Sequence, residues 1–187
     1  ANTDHALPVE FRRLGDPSLT EAYAFLLEGL LLEPGFVRRL LGVSRVRDVL
    51  RFIALHKLYL VRRYAAKLLY ERRWHDGGPT PRMAEAYREL LYRATKAEFP
   101  QELYLYDSDP AFYVARYLRA WIFEAQLKEH LYERFDDEWY RNDRTGPFLL
   151  DLWRQGFTHS PEHLSAKLGI SPLEVDPLIR SITRHLN

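Results

Sequence analysis

Apolar positions recur along this chain with the three-and-four spacing of helices. Leu50, Ala54, Leu58, Val61, Ala65 and Leu68 fall at that interval. Residues so spaced share one face of a helix, so the run predicts a long helix over residues 44–74. The Ser44 hydroxyl can take a free N–H of the first turn and is the expected N-cap. Asp76-Gly77-Gly78-Pro79 ends the run. Thr80-Pro81 predicts a restart, with Thr capping and Pro at the first position, where a missing N–H costs nothing. That helix is expected to run to about residue 98. Asp109-Pro110 carries the same signal, and Val114, Leu118, Trp121, Ile122 and Ala125 line a helix reaching residue 134 or 135.

Upstream, residues 19–32 are apolar almost all round, which predicts a buried helix stopped by Pro34-Gly35. Thr145-Gly146-Pro147 opens a shorter helix ended by Gly156. Two small helices, residues 161–168 and 172–186, close the chain. Alternating strand patterns between hairpin turns are almost absent. The expected fold is all-α, an irregular multi-helix bundle or array. Residues 1–187 form one unit, with a small C-terminal helix pair over 158–187.

Composition narrows the class. Of 187 residues, 47% are hydrophobic and 14% aromatic, enough for a packed core. Net charge is +1, so no overall field draws nucleic acid or an anionic surface. The chain has no cysteine, which excludes disulfides, thiolate metal sites and cysteine nucleophiles and suits a cytoplasmic setting. No apolar run approaches the ~18–20 residues of a membrane span, so no membrane partner is expected. The first five residues are polar and begin without Met; they read as the interior of a longer chain.

Glu21 is the first residue with candidate chemistry. It opens a strongly apolar helix, three residues after Ser18. Local physics offers two plain reasons: a carboxylate in a first turn is favoured by the helix dipole, and Ser18 with Glu21 has capping-box spacing. The segment Pro8-Val9-Glu10-Phe11-Arg12-Arg13-Leu14-Gly15, followed by Asp16 to Phe25, also resembles a stretch of the gluzincin metallopeptidases. The likeness is to their oligoendopeptidase-like and angiotensin-converting-enzyme-like branches. In that family this stretch follows the HExxH helix and leads into a helix whose early Glu is the third zinc ligand. The resemblance puts Glu21 in that place, with the HExxH helix a few residues upstream of Ala1. It implies a C-terminal helical part of a zinc-dependent peptidase, inactive without its N-terminal part. Zinc takes two imidazoles one helical turn apart, a carboxylate and a water, and the Glu of HExxH acts as general base. No zinc is expected on this chain alone. Its only histidines four apart, His159 and His163, have no acid between them in HExxH order, and Ser160-Pro161 sets His159 before a helix start.

A second match covers residues 109–121. The family carries a Tyr-rich step on a late helix that faces the metal. There a Tyr hydroxyl donates to the developing oxyanion and an Arg meets substrate. Tyr117 takes the first role and Arg116 the second, with Tyr113 a further substrate contact one helical turn back. Read from the residues alone, this is a core helix with tyrosines at its rim. Converting-enzyme-like members carry a His shortly before the Tyr and an acid behind the zinc ligands; here residues 101–115 contain no His, and position 25 is Phe.

Residues 160–175 read as a helix-turn-helix, the basis of an alternative: a helical scaffold or binding module without catalysis. The second helix, however, opens Pro172-Leu173-Glu174-Val175-Asp176-Pro177, acidic and apolar where phosphate and base contacts belong. Only Arg180 and Arg184 follow, so nucleic acid is not an expected partner. The eleven Lys and Arg from Arg38 to Arg73 read as a solvated face pairing with acids elsewhere, or as a side that meets the N-terminal part.

Overall fold

A computed structural model describes residues 3–186. Ala1, Asn2 and Asn187, which bound the divisions drawn above and begin the polar start, lie outside the described residues. The described residues form eight α-helices and no strand, an all-α multi-helix arrangement. They are α1 (Val9–Arg13), α2 (Ser18–Glu28), α3 (Val46–Gly77), α4 (Pro81–Thr95), α5 (Tyr113–Phe135), α6 (Thr145–Arg154), α7 (Pro161–Lys167) and α8 (Asp176–Thr183). None of the described helices is long and apolar enough to cross a membrane.

Helix α5 is the axis of the fold. It packs against α2, α3, α7 and α8, and so buries residues on every side, among them Val114, Trp121, Phe123, Leu127 and Leu131. Leu19, Ala22 and Leu26 of α2 join Phe123, Leu127 and Leu131 in the largest core cluster, which Leu149, Leu152 and Leu164 complete. Trp121 and Ala125 hold Leu178 and Ile182 of α8 on another side. Full burial of each such aliphatic side chain is worth about 1.5–3 kcal/mol, which anchors the short α8. A separate cluster, Ala66, Tyr70, Tyr87 and Leu91, joins α3 to α4.

Several local expectations change in the folded chain. Helix α3 begins at Val46, preceded by Arg45 rather than by Ser44, and no side chain caps it. Its buried face includes Leu50 and Ala54 as expected, but then turns to Ala66, Lys67, Tyr70 and Glu71, leaving Ala65 exposed. The rotation follows a change of partner, because the C-terminal half of α3 packs on α4. Residues 19–32 are a helix followed by a 3₁₀ turn at Gly29–Leu32, and Leu27 is 49% exposed. Helix α2 is therefore buried on one side only. Thr80 caps α4 as expected, accepting from the Met83 N–H at 3.3 Å.

The Asp109-Pro110 signal does not start α5 where expected. Pro110–Phe112 is a separate 3₁₀ turn, and Ala111 and Phe112 take positive φ of 54° and 52°. The Asp109 carboxylate cannot cap because it is taken by Lys67 Nζ at 2.9 Å, while its N–H donates to Glu71 Oε1 at 2.8 Å. Helix α5 thus begins at Tyr113, and this fixes which tyrosines face α2.

Candidate active site

The contact of α2 with α5 builds the site. Glu21 and Phe25 lie on one face of α2, one turn apart, with Gly29 in line just past its end. Tyr113, Tyr117 and Trp121 form the matching face of α5. The Tyr113 hydroxyl approaches Glu21 Oε1 to 3.5 Å, the outer limit of a hydrogen bond. The Tyr113 and Tyr117 rings stand edge-to-face with centroids 5.3 Å apart, and the Arg116 guanidinium lies 5.2 Å from the centre of the Tyr113 ring. Phe25 stacks on Trp121 with centroids 5.1 Å apart. All four residues singled out in the sequence, Glu21, Tyr113, Arg116 and Tyr117, therefore gather at one end of the α2–α5 contact.

Glu21 is half-buried, and among the described residues no cation pairs with it. The Ser18 partner suggested by spacing is not used: the Ser18 N–H and hydroxyl both donate to Asp16, at 2.9 and 2.7 Å. Asp16 in turn pairs with Arg119 of α5, whose guanidinium also binds Glu162 of α7 at 2.7 Å. This bridge fixes the start of α2 against α5 and so sets where the Glu21 carboxylate lies. Burial pushes the Tyr117 phenol above its ordinary value, and the neighbouring Glu21, Tyr113 and Tyr64 push the same way. Tyr117, like any phenol, is protonated at neutral pH and is a hydrogen-bond donor beside a carboxylate.

Among the described residues, no three His, Cys, Asp or Glu side chains converge as a metal site. Glu21 is the carboxylate available at the α2–α5 end. A half-buried carboxylate without a cation partner fits the role of one metal ligand whose companions come from another segment. His159 is engaged otherwise, with Nε2 2.7 Å from Lys167 Nζ of α7.

Two features were missed in the sequence. The first is a buried charge network beneath the site. Lys57 Nζ binds Glu124 Oε2 at 2.7 Å, and Lys128 Nζ lies 3.5 Å from Glu124 Oε1. Lys128 also reaches Glu33, which accepts from the Tyr132 hydroxyl and lies 3.5 Å from Arg184. Its signal was present: Glu124 and Lys128 stand four apart, Glu124 directly after the apolar Trp121-Ile122-Phe123. The second is Tyr64 of α3, whose ring lies 5.5 Å from Tyr117 and 5.3 Å from Trp121. No local pattern marks it, because the contact is between distant segments.

The two arginines of the helix-turn-helix reading are engaged within the chain. Arg180 binds Glu129 through two nitrogens, at 3.1 and 2.9 Å. Arg184 donates to Tyr132 at 3.1 Å and to His185 at 2.9 Å. Members of the basic run also have acidic partners: Arg63 Nη2 donates to both carboxylate oxygens of Asp107, at 2.9 and 2.8 Å. Compared with known proteins, the chain matches no family model, no curated protein and no solved structure.

Proposed function

We propose that this chain is the C-terminal helical part of a zinc-dependent peptidase of gluzincin type. In this reading it works in the cytoplasm and acts on peptides together with an N-terminal part of the same protein. One observation carries the reading. Glu21 and Tyr113 are 92 positions apart in sequence, yet carboxylate and hydroxyl stand 3.5 Å apart, with Tyr117 beside them. The resemblance assigns these same residues to one catalytic wall.

Glu21 supplies one carboxylate ligand, and two imidazoles come from an HExxH helix outside this chain. A zinc ion held by Glu21 and those imidazoles would provide the activated water and the Lewis acidity that peptide hydrolysis needs. The remaining roles belong to this chain. Tyr117, a protonated phenol at neutral pH, donates a hydrogen bond to the carbonyl oxygen as negative charge develops there. Tyr113 and Arg116 hold the substrate backbone nearby. The Asp16–Arg119–Glu162 bridge keeps α2 and α5 in register.

The test is the reading frame that encodes this chain, expressed with what precedes Ala1. The reading expects HExxH shortly before Ala1, one zinc per chain, and peptide hydrolysis. Glu21→Gln is expected to lose zinc and activity together. Tyr117→Phe keeps zinc and lowers kcat by about 10²–10³-fold, the usual effect of one oxyanion donor. Residues 1–187 alone are expected to hydrolyse nothing. A frame without HExxH, or a Glu21→Gln enzyme that retains zinc and full activity, removes the proposal.

A further inference from the structure

Beside the Glu21 cluster, α2, α3 and α5 enclose a cavity of about 230 Å³. Four aromatic rings wall it: Phe25, Tyr64, Tyr117 and Trp121. Their centroids stand 5.1 to 6.4 Å apart in the pairs that touch, the range in which aromatic pairs attract. Leu60 and Ile53 of α3 continue the apolar lining. A cavity of roughly 150 Å³ is enough to hold a benzene ring, so this one takes a phenyl or indole side chain.

Charge selects among possible occupants. Lys57 is the cationic side chain at this cavity and Glu28 the acid, with the His56 imidazole beside them. Lys57 is bound at 2.7 Å to the fully buried Glu124, so its charge is largely neutralised, while its other N–H groups remain available to a carbonyl. A cationic occupant would lose its hydration beside a Glu124 already paired with Lys57. An anionic one would lose its hydration without a free counter-charge. A neutral ring suits both constraints.

Tyr117 belongs to both places. It stands in the Glu21 cluster and also walls the cavity. On α2 the step from Glu21 to Phe25 is one turn, about 6 Å. An extended peptide advances roughly 3.3–3.6 Å per residue. A side chain in the cavity therefore belongs to a residue within one or two positions of a backbone lying over Glu21. We propose that this cavity is a substrate subsite taking a neutral aromatic side chain adjacent to the scissile bond. The proposal rests on the peptidase reading for its role, but not for its ligand.

The experiment separates the two. Purified chain is titrated with N-acetylphenylalaninamide, N-acetylalaninamide and N-acetylargininamide, following the tryptophan indole resonances by NMR. The phenylalanine probe is expected to shift the Trp121 resonance and to bind at least 10-fold more tightly than either other probe. Leu60→Phe fills the cavity and is expected to weaken that binding at least 10-fold. Ile53→Phe, two turns away on α3, does the same if Leu60→Phe does not fold. Equal affinities, a preference for the arginine probe, or undiminished binding in a folded filled variant overturns the subsite and leaves the peptidase reading standing. If aromatic binding holds but the full reading frame lacks HExxH, the peptidase reading falls and the aromatic site stays without its assigned role. In an active full-length enzyme, kcat/KM is expected to be at least 10-fold higher for Phe than for Ala at this position. No such preference also overturns the assignment.

Discussion

The Tyr113 hydroxyl lies 3.5 Å from the Glu21 carboxylate, and Tyr117, one turn further along α5, lies against Tyr113. A carboxylate facing two phenols raises the energy of any phenolate formed there, because like charges disfavour each other at short range. Burial and Glu21 together hold the Tyr117 phenol above its ordinary value. Glu21→Gln is therefore expected to lower the Tyr117 pKa, measured by NMR of ring-labelled tyrosine. An unchanged Tyr117 titration would mean that the two side chains do not face each other in solution.

The Glu124 carboxylate, fully buried between Lys57 and Lys128, is the most consequential charge in the fold. Burial alone pushes its pKa up, but the two lysines prevail and hold it below the ordinary value. Folding then favours the ionised form. The stability this gives is present above the ordinary carboxylate pKa and is lost as pH falls through the folded value. Glu124→Gln leaves Lys57 and Lys128 without that counter-charge and is expected to cost about 3–5 kcal/mol at pH 7. At about 2–4 °C per kcal/mol for a domain of this size, Tm falls by roughly 6–20 °C. The gap between wild type and variant is expected to narrow below pH 4. A variant within a degree or two of wild type at pH 7 would contradict this.

Glu71 has the opposite sign. It is fully buried, Oε2 has no hydrogen-bond partner among the described residues, and Lys67 Nζ is 3.8 Å from Oε1. Burial outweighs the Asp109 N–H and Lys67 and raises its pKa. Folding here favours the protonated form, so the contribution is present below the ordinary pKa and is lost as pH rises through the raised one. Glu71→Gln imitates the neutral form while keeping an acceptor for the Asp109 N–H. Its Tm relative to wild type is expected to rise between pH 4 and pH 8. A relative Tm that falls over that range would show that Lys67 prevails over burial.

Gly156 joins the end of α6 to the α1 segment. Its φ is +56°, and a Cβ placed on it would lie 2.5 Å from the Phe11 carbonyl oxygen. The next N–H, that of Phe157, donates to the same oxygen at 2.8 Å. Gly156→Ala is expected to cost more than about 1–2 kcal/mol, from the left-handed backbone alone. Faster amide exchange at Phe157 is expected with it. A variant as stable as wild type, with Phe157 still protected, would contradict the contact.

Much of the helical layout was legible because helices are written locally. Thr80-Pro81 starts α4, and Ser160-Pro161 starts α7 with the Ser160 hydroxyl accepting from the His163 N–H. Such signals depend only on residues a few positions apart, as does the three-and-four spacing of α3 and α5. Where a distant side chain intervened, the local reading failed. Asp109 looks like a cap for α5, but Lys67, from another helix, claims its carboxylate.

The sequence by itself determined that the chain is all helical and where its longer helices broadly run, and a resemblance carried on its residues singled out Glu21, Tyr113, Arg116 and Tyr117. Only the tertiary structure decided that these four meet, that Lys57 and Lys128 close on Glu124, and that Tyr64 completes an aromatic wall with Phe25 and Trp121. The reason is physical. A helix's own spacing states which residues share a face, but the neighbour of that face is set by long-range packing. Helix α5 is buried on every side, so its pattern could not say which side would face α2, α3 or α8.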